Sequence, residues 1–127
     1  MFEYIQKIQG NVLAIKINGE MTEEEHQELD ALFRERISKW GRLRVFVVAM
    51  HYPSFNSAEA LFEDLRMVKR HAESIDRLAV VADRSWKRTW IGIFGLFSRI
   101  PSDFYEMDEI EAAWQWIAEG LNTTAPS

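Results

Sequence analysis

The 127 residues carry 15 Lys or Arg against 20 Asp or Glu, a formal charge of −5, with 47% hydrophobic residues and no cysteine. That size and apolar share suit one globular domain with its own core, and the absence of cysteine excludes thiol catalysis, thiolate metal sites and disulfide scaffolds, in keeping with a cytoplasmic setting. An acidic chain argues against general nucleic-acid binding, residues 1–18 lack the pattern of a signal peptide, and the longest apolar stretch falls short of the roughly 18 residues a membrane span needs.

Phe2, Tyr4 and Ile8, then Val12, Leu13, Ile15 and Ile17, form two strand-like runs around Gly10-Asn11, whose turn chemistry predicts an antiparallel hairpin. Thr22 followed by Glu25 is a capping box, and Leu29, Leu32, Phe33, Ile37 and Trp40 recur at helical spacing until Gly41 stops the helix. Residues 43–50 are apolar and rich in valine, as a strand buried on both faces requires, and residues 78–82 form the next such run. Between them Ser57 caps a predicted helix with Ala58, Leu61, Phe62, Leu65, Val68 and Ala72 on its inner stripe. Residues 104–107 make a short strand candidate. Asp108 with Glu111 then forms a second capping box, opening a helix with Ile110, Ala113, Trp114, Ile117 and Leu121 inward.

This order predicts an α/β domain over residues 1–121: a mainly parallel five-stranded sheet with right-handed crossovers, an N-terminal hairpin and about four helices. Residues 122–127 read as a polar, frayed tail.

Residues 86–100, WKRTWIGIFGLFSRI, hold two Trp, two Phe, three Ile and one Leu. On a helix, Trp86, Trp90, Ile93, Phe94 and Phe97 share about one quarter-turn, Ile91 and Leu96 widen it, and Arg88 and Arg99 lie opposite. Such a stripe exceeds what covering a sheet demands. Charge is equally uneven, because residues 66–99 hold eight Lys or Arg against Glu73, Asp76 and Asp83. A basic helix with Trp and Phe on its other face reads as a membrane-surface or hydrophobic-ligand element, and equally as a core helix beside a protein contact.

In open parallel sheets ligands gather at the carboxyl ends of the strands, here in loops 18–22, 51–57, 83–85 and 106–108. The second loop brings His51, Tyr52, Ser54, Phe55 and Ser57 together. Ser54 or Ser57 with His51 and Asp83 would make a hydrolytic set, but no nucleophile-elbow signature surrounds either serine. His26 and His71 show no metal-ligand spacing and read as solvated or partly buried helical residues. Glu23, Glu24 and Glu25 complement a helix N-terminus and require no cation.

Residues 60–65 (ALFEDL), His71, residues 77–86 (RLAVVADRSW) and residues 107–114 (MDEIEAAW) together resemble the bacterial SpoIIAA-like family. The resemblance implies the fold shared by STAS and CRAL-TRIO domains, in which two helices can flank a nonpolar cavity. Phosphorylatable STAS proteins carry an Asp-Ser-Gly-like motif at the start of the helix after the third strand. Here that place reads Ser54-Phe55-Asn56-Ser57-Ala58, without the acid or the glycine, and leaves Ser57 as the geometrically allowed acceptor. Relatives are often Lys-rich after the position of Trp86, whereas this chain is apolar there.

The function these features predict is non-enzymatic binding of a nonpolar small molecule or lipid, held by Leu61, Phe62, Leu65, Trp90, Ile93, Phe94 and Phe97. Trp86, Lys87, Arg88, Trp90 and Arg99 would contact an anionic membrane from its inner face. The alternative is a STAS-like regulatory module with a protein partner or a weak homodimer, and an interfacially activated hydrolase stands third. No cofactor or metal is called for.

Overall fold

The structure, a computed structural model, describes residues 2–5, 11–18, 22–50, 70–84 and 100–120. These form strands β1 (Phe2–Ile5), β2 (Val12–Asn18), β3 (Leu43–Met50), β4 (Ile75–Ala82) and β5 (Ser102–Glu106), with helices α1 (Glu23–Trp40) and α2 (Ile110–Ala118). The sheet order is β1-β2-β3-β4-β5. Strands β2 to β5 run parallel, and β1 lies antiparallel on the edge, Phe2 opposite Ile17 and Ile5 opposite Ala14. The described residues thus hold two of the expected helices. Most of residues 58–72, residues 86–97, Leu121 and residues 122–127 lie outside them, as does Gly10 of the expected turn.

Alternation along the strands sorts the core into two layers. Leu13, Ile15, Val45, Val47, Leu78 and Val80 face α1, which buries Leu29 and Phe33 against them. Ala14, Phe46, Val48, Ala79 and Val81 face α2, which contributes Ala113, Trp114 and Ile117. The rings of Phe46 and Trp114 stack with centroids 3.8 Å apart.

Helix α1 begins at the predicted capping box. Thr22 Oγ1 accepts the Glu25 N–H at 3.1 Å and the Thr22 N–H donates to Glu25 Oε1 at 3.0 Å. It stops at Gly41, whose φ of 79° is a left-handed conformation that side chains resist, and whose N–H donates to Ile37 O. Trp40 departs from expectation. It lies on the angular face of Phe33, but in the last turn beside Gly41, where the stripe runs past the packed core, and its residue is 46% exposed under the Lys39 ammonium.

Three boundaries also move. Strand β4 starts at Ile75 instead of residue 78, because an irregularity pairs Leu43 with Ile75 but Arg44 with Arg77. The extra residue, Asp76, puts Ile75 and Leu78 in the same core layer and breaks the period-2 pattern that marks a strand in sequence. Ala72 therefore sits in a 3-10 turn, Ala72–Ser74, instead of on a helical stripe. At the other end β5 spans Ser102–Glu106, and the chain passes through a 3-10 turn at Met107–Glu109. The capping box there is Glu106 with Glu109, not Asp108 with Glu111, because Glu106 is the last extended residue and so takes the cap position.

Candidate functional site

With β2 to β5 parallel, Asn18, Met50, Ala82 and Glu106 end at one edge of the sheet. Ala82 and Glu106 are opposite in register, so the residue two beyond Ala82 stands over the end of β5. There Arg84 grips Glu106 with both prongs, Nε to Oε1 at 2.8 Å and Nη2 to Oε2 at 3.2 Å. The Glu106 side chain is mostly covered and that of Arg84 is exposed. The hydrogen bonds to Glu106, then its charge, raise the guanidinium further above its ordinary value.

The same Glu106 begins the turn into α2: its carboxylate accepts the N–H of Glu109, while its own N–H donates to Glu109 Oε1 at 2.9 Å. Carboxylate oxygens of Glu106, Asp108 and Glu109 lie within 4.8 Å of one another. These three are the described residues that could share a cation, yet Glu106 and Glu109 already accept hydrogen bonds from the protein. The adjacent Tyr105 phenol is pushed up to about 12, chiefly by burial and then by Asp103, so it stays protonated at neutral pH. What the rim offers is a fixed, exposed arrangement of charge: Arg84 among Asp83, Glu106, Asp108 and Glu109. It can recognise a polar surface, and neither a carboxylate bound to guanidinium nor so basic a phenol is suited to proton transfer at neutral pH.

A second polar cluster lies on α1. Asp30 meets His71 Nε2 at 2.9 Å, Arg34 Nε at 3.2 Å and Arg70 Nη1 at 3.6 Å, while the His71 ring stacks on Phe33 at 5.5 Å. The His71 hydrogen bond holds the Asp30 carboxyl below the usual range, aided by the charges of Arg34, His71 and Arg70 and opposed by burial. His71 thus fastens the segment entering β4 to α1. The i, i+4 pair Asp30 and Arg34 could be read from sequence, but His71 carries no local signal of its partner.

Leu61, Phe62, Leu65, Trp90, Ile93, Phe94 and Phe97 lie outside the described residues, as do Trp86, Lys87, Arg88, Arg99 and Ser57. So do His51 and Ser54 of the hydrolytic set, whose remaining member, Asp83, is exposed beside Arg84. Ile100, the last residue of the aromatic stretch, is buried in the α1-side core layer, so that end of the stretch is anchored in the core. Among the described residues no helix is long and apolar enough to cross a membrane.

Comparison with known proteins agrees with this architecture. The family model described as SpoIIAA-like matches residues 12–118. Among solved structures, the chain is similar to an uncharacterized protein of the DUF3478 family with a SpoIIAA-like fold from Shewanella loihica PV-4. The two share 14% identity with a TM-score of 0.57, and the match covers 92% of each chain. No curated protein matches.

Proposed function

The chain belongs to the SpoIIAA-like family, and from that premise we propose that it is a non-enzymatic, STAS-like module that works by binding a protein partner. The family match over residues 12–118 carries this reading. The rim supports it: a bidentate Arg84–Glu106 pair presents preorganised charge at the sheet end, and electrostatic complementarity of that kind gives a contact its specificity. Within this reading Ser57 is the residue to test as a phosphate acceptor, since phosphate would place new negative charge in the loop after β3.

The full-length chain carrying a photo-cross-linking residue at position 83 or 108 is expected to capture one discrete protein, lost in Arg84→Glu, while the same group at position 39 captures none. Equal capture at all three positions, or capture indifferent to Arg84→Glu, would remove the rim from the function.

A second reading is favoured by the aromatic content of residues 86–97: a carrier of a nonpolar molecule or lipid. Its site would be Leu61, Phe62, Leu65, Trp90, Ile93, Phe94 and Phe97, with Trp86, Lys87, Arg88, Trp90 and Arg99 resting on an anionic membrane. Native mass spectrometry of gently purified protein separates the two. A retained lipid, with salt-sensitive binding to anionic vesicles weakened by Trp90→Glu, supports the carrier; a clean mass and indifference to vesicles remove it.

A further inference from the structure

Strand β5 closes the sheet on the side opposite β1, pairing with β4 alone among the described residues. An open edge is a template for a further strand, and chains that stay unpaired must obstruct it. The ladder shows which groups are at stake. The Leu78 N–H donates to Pro101 O, and in a parallel ladder backbone groups alternate in direction, so the N–H groups of Asp103 and Tyr105 face β4 while those of Ser102, Phe104 and Glu106 face outward.

Two of these three outward donors are occupied by carboxylates. The Phe104 N–H donates to Asp103 Oδ1 at 2.9 Å, and the Glu106 N–H donates to Glu109 Oε1 at 2.9 Å. The Glu109 acceptor is locked in the capping box with Glu106, and the Asp103 carboxylate lies near enough to the Tyr105 phenol to raise it.

We infer that Asp103 and Glu109 guard the β5 edge, and that the occupant they exclude is the β5 edge of a second copy of this chain. Two such edges are identical in length and chemistry, and side by side in antiparallel order they would extend the five-stranded sheet into a continuous ten-stranded one. The guard acts by hydrogen bonding, because an occupied N–H cannot donate to an incoming strand; charge repulsion between acidic edges is secondary.

The test is Asp103→Ala/Glu109→Ala. Both side chains are exposed, so the core is left intact. In sedimentation velocity the double variant is expected to form a dimer that the wild type does not form at the same concentration. Below that concentration its Phe104 and Glu106 amides should exchange roughly tenfold faster than in the wild type. Asp103→Asn/Glu109→Gln keeps an acceptor oxygen at each position and should sediment as the wild type does. Association of the amide pair equal to that of the alanine pair would show that charge is the guard. An alanine pair that sediments like the wild type, with unchanged exchange at Phe104 and Glu106, would overturn the inference altogether.

Discussion

Arg44 of β3 and Arg77 of β4 stand directly opposite each other in register, two cations side by side, and both point at the carboxyl end of α2. Arg44 Nη1 donates to Ile117 O at 2.9 Å and Glu119 O at 2.6 Å, and Arg77 Nη1 donates to Trp116 O at 2.6 Å with its guanidinium 5.1 Å from the Trp116 ring. Like charges opposite one another are unfavourable in a sheet, but the last carbonyls of a helix are orphan acceptors at its negative pole. The helix end offsets the repulsion. Burial, then Arg77, lowers the affinity of Arg44 for its proton, and the residue stays charged because its ordinary value lies so far above neutral pH.

Arg44→Ala should therefore do more than remove a surface charge. It strips two carbonyls of their donor, and a hydrogen bond to a charged group contributes on the order of 2 kcal/mol. The expected result is an unfolding free energy from urea denaturation lowered by about that amount, with faster amide exchange at residues 116–119. Arg44→Lys should rescue only part of it, since one ammonium lacks the fork geometry that spans both acceptors.

The Asp30 cluster makes stability depend on pH with a definite sign. Its carboxyl is held below the usual range in the folded state, so the unfolded chain takes up the proton first as acid is added. The stabilisation is complete above the unfolded value of about 3.9 and is lost as the pH falls from there through the folded value. Unfolding midpoints of the wild type and Asp30→Asn, measured between neutral pH and pH 3, should converge toward the acid end. A constant difference across that range would show that Asp30 contributes nothing through its charge.

The first half of the fold is legible in sequence because its signals are local. Thr22 and Glu25 lie three residues apart, Gly41 is the stop that φ of 79° requires, and the run 43–50 coincides with β3. Signals fail where register decides. Asp76 interrupts alternation, so the start of β4 is hidden, and Glu106 becomes a cap only because the strand carries it that far. The rim pair was out of reach for the same reason: Arg84 and Glu106 are 22 residues apart, and Asp30 and His71 are 41 apart. Their meeting is dictated by strand order and helix packing, which periodicity alone does not encode.

Thr22→Ala tests the most local of these signals. Loss of the hydroxyl leaves the Glu25 N–H without its cap, at a cost of about 1 kcal/mol, while Thr22→Ser should keep nearly all of it. Faster exchange confined to the first turn of α1 would accompany the loss in Thr22→Ala. An unchanged unfolding midpoint would mean that water or Glu25 alone satisfies that turn.

Phe46 of the sheet stacks on Trp114 of α2, with ring planes 13° apart and residue exposures of 0% and 6%. Around it only Ala113 and Ile117 are the other fully buried residues of the helix, so Trp114 supplies most of the apolar volume with which α2 is held. Trp114→Ala leaves a void that small neighbours such as Ala79 cannot fill, and such a truncation costs about 3–5 kcal/mol. Trp114→Phe retains a stacking ring and should cost clearly less. The two guanidinium groups at the other end of the helix remain in place, so the expected signature of Trp114→Ala is a large drop in the urea midpoint with the sheet still cooperative. Loss of protection in α2 well below the global transition would show that the helix is fastened mainly through this ring; protection that persists until global unfolding would assign the fastening to Arg44 and Arg77 instead.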